Sequence, residues 1–208
     1  MSSPPSLPLL LASTSPGRRA IFEQAGLYVE VAAPTCDEDA ITARGPGALA
    51  LARARAKAES LANDAMIVIG ADQVCHLGHR IFRKPRDEAD HLAQLRALRG
   101  RTHTLCNGVS VLAPGRREDW ITRVRVRLRA DLSDDELGDY VDSGDARGCA
   151  GGYRLEGPGA RLVERVQGDS FAVVGLPLLE VLTVLRRLGW RPAPISHKPR
   201  LPLQGQHP

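Results

Sequence analysis

Near the beginning of this chain, a short apolar run is followed by a short loop and a helix start. Leu9–Ala12 is entirely apolar, Ser15 is a suitable helix N-cap, and Pro16 suits the first helical turn. A second apolar run, at 67–71, has the length of a strand that is buried on both faces. Buried strands that alternate with helical segments require a layered fold, and the sequence therefore predicts an α/β protein.

The rest of the chain continues this alternation. Further strands are predicted over 27–33, 74–82, 102–112, 120–128 and 162–166. Helices are predicted over 16–26, 46–63, 87–98, 133–141 and 176–188. Among their start signals, Ser133 and Glu136 have the spacing of a capping box.

Length and composition bound the domain organisation. With 208 residues, 43% of them hydrophobic and 25% charged, the chain is long enough for one domain and has a globular composition. Residues 191–208 are rich in proline and polar side chains, so we expect a disordered tail there. The prediction is a single domain over 7–190.

Charge and cysteine content argue against several classes of protein. The formal net charge of +4 comes from scattered arginines, so a nucleic-acid partner is unlikely and a small polyanion explains the excess equally well. The four cysteines form no CxxC pair, which argues against a zinc site and suits reduced thiols in the cytoplasm. No apolar stretch reaches the roughly 18 residues of a membrane span, so we expect a cytoplasmic protein without membrane contact.

The first helix start carries side chains that suit a phosphate group. Ser13 and Ser15 lie before the helix and Arg18 lies within its first turn. Backbone N–H groups at a helix N-terminus attract anions, although simple capping explains the serines equally well. The segment matches neither GxxxxGK[ST] nor GxGxxG, so neither a P-loop nor a dinucleotide-binding loop is supported.

Asp72 is the leading candidate for acid–base or metal chemistry. It follows the apolar run at 67–71, so we expect it at the end of a strand, where functional groups of α/β sheets gather. Capping of a turn is the alternative. Glu38 lies in an acidic loop and could join Asp72 in binding Mg²⁺, which takes one or two carboxylates plus substrate phosphates. These residues alone indicate a site for a phosphorylated small molecule.

Two lysines and one further carboxylate complete the candidates. Lys84 precedes Pro85 after a predicted strand and is placed to project into a cleft, whereas Lys57 lies on a helix, where lysine is ordinarily a surface residue. Glu156 lies in the glycine-rich stretch 144–159. The backbone freedom of this stretch suits close approach to a base, and it suits an ordinary loop equally well.

Eight sequence blocks occur in order along residues 9–188: LASTSPGRR, APTCDED, ARAKAESLA, IGADQVC, RKP, RGRTHTLCNGVSV, CAGGYRLEGPGA and VVGLPL. Their order and spacing closely resemble the Maf family of nucleoside triphosphate pyrophosphatases. The resemblance implies a Maf/inosine-triphosphatase-like α/β fold with a mixed central sheet flanked by helices and two lobes around a deep cleft. It also implies hydrolysis between the α and β phosphates, a divalent cofactor (Mg²⁺ or Mn²⁺) and a possible homodimer.

The same resemblance implies a role for each matching residue. Asp72 matches the proton acceptor of the family, and Glu38 matches an acidic position near the metal, so both are implied as metal ligands. The positions that match phosphate-contacting residues are Ser13, Ser15, Arg18, Lys57 and Lys84.

Three positions are implied in the choice of base: Gly17, Gln73 and Glu156. Gln73 and Glu156 resemble the branch that acts on 7-methyl-GTP, whereas the branch that acts on dTTP and UTP usually carries Arg, Thr and Gln. The 7-methylguanine ring is cationic and its N1–H and N2–H₂ groups donate, so a carboxylate complements it. The predicted reaction is hydrolysis of 7-methyl-GTP to 7-methyl-GMP and pyrophosphate.

Departures from the family pattern keep two alternatives open. Gly17 stands where this branch often has a bulky aromatic residue, so dTTP, UTP or another modified nucleotide is a second hypothesis. Ala56 replaces a usual glutamate and Asn107 a usual threonine. A third hypothesis is a nucleotide- or nucleic-acid-binding regulator of division, since Maf proteins have been linked to septum formation.

Overall fold

The computed structural model describes residues 7–146 and 148–193, which form a sheet of seven strands with helices packed against it. The strands are β1 (Leu9–Ala12), β2 (Glu30–Ala32), β3 (Ile67–Leu77), β4 (Arg80–Phe82), β5 (Thr102–Ala113), β6 (Arg116–Leu128) and β7 (Val163–Gln167). The helices are α1 (Pro16–Gln24), α2 (Pro46–Glu59), α3 (Glu88–Leu98), α4 (Asp134–Asp142), α5 (Ser170–Val174) and α6 (Leu178–Arg187), with a 3₁₀ helix at Pro158–Leu162. The α/β prediction with a mixed central sheet is confirmed.

The sheet has the order β2-β1-β3-β5-β6-β7. β1 runs parallel to β2 and β3, and the pairings β3–β5, β5–β6 and β6–β7 are antiparallel. β4 is antiparallel to β3 and shares with β1 the edge of β3 that β5 does not occupy. β3 therefore has β5 along one edge and two successive short strands along the other.

Local side-chain chemistry sets where three of the helices begin. The Ser15 side chain accepts a hydrogen bond from the Arg18 backbone N–H, as the sequence predicted. Ser133 and Glu136 form the predicted capping box at the start of α4. Asp87 was expected inside its helix and instead caps α3, because its carboxylate accepts from the Asp90 backbone N–H.

The strand boundaries depend on the sheet more than on local sequence. The strand predicted over 67–71 continues as β3 to Leu77, because pairing with β5 extends across the polar residues that follow the apolar run. The ribbon predicted over 74–82 is accordingly the end of β3, a turn, and β4. The strand predicted over 27–33 contains only the three residues of β2.

Several predicted helix and strand boundaries are displaced. The helix predicted to reach residue 63 ends at Glu59, and the strand predicted over 162–166 is shifted by one residue, to β7. Helix α5 was not predicted; Gly175 ends it in the left-handed conformation (φ 116°), which glycine adopts readily. Pro177 occupies the N-cap position of α6 without a side-chain hydrogen bond, and this helix starts at Leu178 rather than at 176.

The structure leaves two expectations about organisation open. A disordered tail was predicted over 191–208, and its residues from 194 onward lie outside the described residues. The single domain predicted over 7–190 stays a prediction. No helix in the described ranges has the length and apolar character needed to cross a membrane.

Most of the apolar core lies in two large clusters near opposite ends of the long strands. One cluster contains Ile69 of β3 and Val111 of β5 and is completed by α1 and α6. The other contains Cys75 of β3 and Leu105 of β5 and is completed by α3 and α4. Because β3 and β5 pass through both clusters, the predicted two lobes share one sheet, and residues 72–74 of β3 lie between the lobes.

Helix α2 rests unusually close to the sheet because two glycines lie beneath it. A Cβ atom on Gly70 of β3 would lie 2.1 Å from the Ala54 carbonyl oxygen, and one on Gly108 of β5 would lie 2.3 Å from the Ala50 backbone. No larger residue fits at either position without displacing the helix. This close contact brings the last turn of α2, which carries Lys57, against the middle of β3.

Candidate active site

A gap along one edge of β3 marks the centre of the candidate site. β1 pairs with residues 67–70 of this strand, and β4 pairs with residues 75–77 on the same edge. Residues 71–74 therefore have no strand neighbour on that edge within the described chain. Side chains and ligands can approach the sheet at this point because no strand covers it.

Asp72 lies in the middle of β3, which corrects the prediction that it ends a strand. Successive side chains of a strand point to opposite faces of the sheet. Asp72 points to the face covered by α2, where it contacts Lys57, and Gln73 points to the other face, where it contacts α5. The gap is thus flanked by a carboxylate on one face and an amide on the other.

A cavity of about 790 Å³ adjoins this gap. Its volume lies within the usual range for small-molecule sites. The structure brings every residue proposed from the sequence to the wall of this cavity: Ser13, Ser15, Gly17, Arg18, Glu38, Lys57, Asp72, Gln73, Lys84 and Glu156.

Lys57 joins the two candidate metal ligands. Its ammonium nitrogen lies 2.8 Å from Asp72 Oδ1 and 2.7 Å from Glu38 Oε2. Only 6% of the Lys57 side chain and 10% of the Asp72 side chain is exposed, whereas 41% of the Glu38 side chain is. The expectation that a helical lysine lies at the surface is therefore wrong here, because α2 presses this residue against the sheet.

The second oxygen of Asp72 is free for chemistry. Oδ2 is buried and has no hydrogen-bond partner among the described residues. A buried carboxylate oxygen without a partner is costly, so its presence in a cavity favours contact with a ligand, water or a cation.

The loop before α1 forms a second group of anion-binding side chains. The buried Ser13 hydroxyl oxygen accepts hydrogen bonds from the Ser15 backbone N–H (3.1 Å) and from Arg18 Nη1 (3.3 Å). Arg18 Nε donates to the Gly175 carbonyl (2.8 Å), so this guanidinium is anchored to the loop after α5. The first turn of α1 contains no acidic side chain, which leaves its positive end unopposed.

Arg18 is charged and buried in a cavity that also contains carboxylates. Burial lowers the pKa of its guanidinium, and the nearby charges of Asp72 and Glu38 partly offset this effect. Arginine nevertheless stays protonated at neutral pH. The site thus holds a desolvated positive charge that a phosphate group can neutralise.

Lys84 differs from these buried groups. It is exposed after β4 on the cavity wall, and no ion pair of this side chain occurs among the described residues. A lysine ammonium on a flexible stem can follow a ligand that enters the cavity.

Gln73 forms part of the cavity wall on the face of β3 opposite to Asp72. Its side-chain nitrogen lies 2.9 Å from the Ala172 carbonyl, 3.1 Å from the Val173 carbonyl and 3.2 Å from Asn107 Oδ1. These contacts use both N–H groups of the amide, so only its oxygen remains for a ligand.

Gly17 and Glu156 adjoin the same wall. A Cβ atom on Gly17 would lie 3.2 Å from a methyl group of Val174 and 3.5 Å from Glu156 Oε1. The three positions implied in base choice therefore gather around residues 172–174 of α5. The structure places these three positions together beside α5, whereas Lys57 contacts Asp72 on the other face of β3.

Polar contacts hold Asp145 and the segment at 152–154 in place. His91 Nε2 lies 2.5 Å from the Gly152 carbonyl, and His103 Nε2 lies 2.7 Å from the Tyr153 hydroxyl. The Tyr140 hydroxyl donates to Asp145 Oδ2 (3.0 Å) and accepts from the backbone N–H of residue 154 (3.1 Å). These contacts fix the loop that carries Glu156.

Sequence reasoning missed several arginines of the cavity wall, and two of them contact candidate site residues or their loops. Arg154 Nε lies 3.1 Å from Glu156 Oε1, and Arg53 Nε donates to the Glu38 carbonyl (3.1 Å). Signals for both were present, since Arg53 precedes Lys57 by one helical turn and Arg154 precedes Glu156 by two residues. Arg154 thus holds the Glu156 carboxylate, and Arg53 holds the loop that carries Glu38.

The carboxylates fit a divalent cation that shares its ligands with a substrate. Glu38 and Asp72 direct one oxygen each to a common point, where the Lys57 ammonium now lies. Within the described ranges, no group of three or more His, Cys, Asp or Glu side chains is arranged to hold a metal. Two carboxylates with further ligands from phosphates and water suit Mg²⁺ in particular.

A comparison with family models decides the family. The model described as "Maf-like protein" matches residues 8–188. The chain belongs to the Maf family. The family predicted from the ordered sequence blocks is thereby confirmed, and the match includes every residue of the candidate site.

Relatives in this family carry several different activity names. This Maf chain is 40% identical over 190 residues to a "dTTP/UTP pyrophosphatase" of Hyphomonas neptunium, covering 90% of the chain and 99% of the relative. It is 39% identical over 194 residues to a "7-methyl-GTP pyrophosphatase" of Rhizobium meliloti (87% and 96% covered). A "Nucleoside triphosphate pyrophosphatase" of Bradyrhizobium diazoefficiens is 42% identical over 190 residues (86% and 93% covered). These names agree with the enzyme class predicted from the sequence.

Among solved structures, a HAM1 protein from Coxiella burnetii matches this Maf chain with a TM-score of 0.46 and 16% sequence identity. The match covers 87% of this chain and 99% of the other.

Proposed function

We propose that this Maf protein is a nucleoside triphosphate pyrophosphatase that hydrolyses 7-methyl-GTP to 7-methyl-GMP and pyrophosphate. The observation that carries the proposal is the charge layout of one cavity. Lys57 and Asp72 mark one end, and Glu156 and Gln73 lie around α5. Arg18 reaches from the Ser13 hydroxyl to the Gly175 carbonyl at the end of α5. This layout suits a ligand with a polyanionic tail and a hydrogen-bonding ring.

The phosphate end supplies charge and a base. Ser13, Arg18 and the first turn of α1 bind phosphate oxygens, and Lys84 adds a mobile charge from the rim. Asp72 Oδ2 accepts a proton from the water that attacks the α-phosphorus, and Lys57 holds the other oxygen of this carboxylate in place. Pyrophosphate is the leaving group.

The proposal includes a divalent cation, Mg²⁺ or Mn²⁺. Glu38 and Asp72 are the residues that would hold it, with phosphate oxygens and water as the remaining ligands. When bound, the cation supplies charge neutralisation for the triphosphate and for the leaving pyrophosphate.

The base end favours a ring that donates hydrogen bonds. The free oxygen of the Gln73 amide and the Glu156 carboxylate both accept. The N1–H and N2–H₂ groups of 7-methylguanine donate hydrogen bonds. Its positive ring charge suits the two carboxylates of Asp145 and Glu156, which lie beside the Arg154 guanidinium.

A pyrimidine nucleotide is the second candidate substrate. Gly17 leaves the space beside Glu156 without a side chain, and relatives of similar identity are named dTTP/UTP pyrophosphatases. Uracil and thymine also donate one hydrogen bond, from N3–H, to an acceptor such as Glu156.

The deciding experiment measures pyrophosphate release from 7-methyl-GTP, GTP, dTTP, UTP, CTP and ATP with Mg²⁺ or Mn²⁺. We expect the highest kcat/KM for 7-methyl-GTP. A preference for dTTP or UTP would keep the enzyme class and overturn the assignment of the base. Tight nucleotide binding without turnover of any nucleotide would overturn the enzymatic proposal and favour a regulatory role.

A further inference from the structure

Arg154 is a charged side chain next to Glu156, the residue expected to recognise the base. Its Nε lies 3.1 Å from Glu156 Oε1, and its Nη1 lies 3.5 Å from Asp145 Oδ1. All three side chains line the cavity. The guanidinium is therefore part of the same wall as Glu156.

The position of this guanidinium is defined by its neighbours. The Arg154 backbone N–H donates to the Tyr140 hydroxyl, and this hydroxyl donates to Asp145. Asp145 thus holds the Arg154 side chain beside Glu156.

The pair presents a hydrogen-bond donor next to an acceptor. A guanidinium has five N–H donors in a planar fork, and Arg154 uses one for Glu156 and one for Asp145. Glu156 accepts from Arg154 through Oε1, and its Oε2 has no partner in the part of the chain that the structure describes. Remaining N–H groups of Arg154 and one oxygen of Glu156 are thus open to a ligand.

Nucleobases fall into two groups with respect to such a pair. Guanine, 7-methylguanine, uracil and thymine carry a C=O next to a ring N–H, which is an acceptor beside a donor. Adenine and cytosine carry an NH₂ next to an unprotonated ring nitrogen, which is the reverse. Because the triphosphate fixes which way the nucleotide lies, an amino base would place its NH₂ against the guanidinium.

We propose that Arg154 is a second specificity residue: together with Glu156 it selects bases that carry a C=O beside an N–H and rejects adenine and cytosine. The inference rests on the proposed pyrophosphatase function and deepens it. Arg154 donates to the keto oxygen of the base, Glu156 accepts from the adjacent N–H, and Asp145 positions Arg154. Both candidate substrates of the proposed function carry the selected edge.

The test replaces Arg154 and compares the two groups of bases. kcat/KM for pyrophosphate release is measured with 7-methyl-GTP, GTP and UTP against ATP and CTP, for the parent and for Arg154→Met. The variant is expected to lower the keto-to-amino ratio of kcat/KM about tenfold to one hundredfold, mainly through a higher KM for the keto nucleotides. Arg154→Lys, which keeps the charge without the planar fork, is expected to restore only part of the ratio.

Arg129→Met is the matched control. Arg129 pairs with Asp131, also two residues later, but neither residue lies on the cavity wall. This variant is expected to leave both kcat/KM and the ratio unchanged.

The outcomes separate this inference from the proposed function. If the parent hydrolyses no nucleotide, the proposed function fails. If the parent is active and Arg154→Met keeps the parental ratio, or lowers kcat/KM equally for all nucleotides, the role of Arg154 is overturned. Thermal unfolding of each variant is recorded, and if Arg154→Met does not fold, Arg154→Gln provides the same comparison, since this shorter, neutral side chain also removes the guanidinium fork from the wall.

Discussion

The two ends of the cavity are held in different ways. At the phosphate end, Lys57 and Asp72 are 6% and 10% exposed, and α2 positions Lys57 by lying directly on Gly70 and Gly108. At the base end, Arg154 and Glu156 are 36% and 29% exposed and are carried by a loop that buried polar contacts hold.

This difference in burial predicts that one end of the cavity controls the rate of hydrolysis and the other controls which nucleotide is preferred. Charges in a low-dielectric environment interact strongly and stay oriented, which suits the chemistry of a triphosphate. Partly exposed side chains interact with water as well as with the ligand, so changes among them cost less stability. We therefore expect substitutions at the phosphate end to abolish activity or folding, and substitutions at the base end to change which nucleotide is preferred.

The largest expected effect is that of Asp72→Asn on turnover. The amide keeps the shape of the side chain but cannot accept a proton from water, so kcat for the best substrate is expected to fall about 100- to 10,000-fold. Steady-state pyrophosphate release measures the effect.

Asp119→Asn is the matched control for this variant. Asp119 also has one oxygen in an ion pair, with Arg55, and a second buried oxygen without a partner among the described residues, but it lies outside the cavity. Equal losses of kcat in the two variants would show that Asp72 has no special role in catalysis.

The next effect concerns the close contact of α2. Gly108→Ala places a methyl group 2.3 Å from the backbone of α2, so the free energy of unfolding is expected to fall by about 3 kcal/mol or more. Gly138→Ala, in α4 where no atom lies within 4 Å of the added carbon, is expected to stabilise by about 0.5–1 kcal/mol. Urea unfolding of both variants checks the prediction, and a parental stability for Gly108→Ala would contradict the close packing.

The smallest effect is a pH dependence at the base end. Burial, with a contribution from His76, lowers the pKa of His103 to about 4 from its ordinary value of 6.5. Because the folded state resists protonation, stability is complete above pH 6.5 and decreases as the pH falls towards 4, by on the order of 3 kcal/mol.

Urea unfolding from pH 7 to pH 4 isolates this contribution. His103→Gln is expected to lose less stability over this range than the parent, whereas His79→Gln, at an exposed turn, is expected to follow the parent. Identical slopes for the parent and His103→Gln would show that His103 does not destabilise the fold in acid.

Local rules predicted the parts of the fold that local chemistry controls. Ser15 and Ser133 have the side chains that cap a helix, and both do so. The extent of β3 was not predictable in this way, because Asp72 and Gln73 interrupt the apolar run and only pairing with β5 keeps them extended. Helix α5 was missed because its five residues are too few to show a helical period.

The candidate site could be predicted only from the eight sequence blocks whose order and spacing resemble the Maf family. Every residue that they implicate lines the cavity, although position alone suggested a surface role for Lys57. Its burial depends on glycines 13 and 51 residues away in the sequence, which no local pattern connects to it. Arg154 was missed because a charged side chain in a glycine-rich loop is ordinarily solvated.

The continuity of β3 and β5 limits how the cavity can open. Both strands cross from one apolar cluster to the other without a break, so the lobes have no linker about which they could swing as rigid bodies. Opening by a hinge would have to disrupt a ladder of nine paired residues between these strands. Substrate entry and product release therefore require movement outside this ladder, and the acidic loop that contains Glu38, whose side chain is 41% exposed, is placed to supply it. Motion of this short loop, rather than of the lobes, would then limit how fast product leaves.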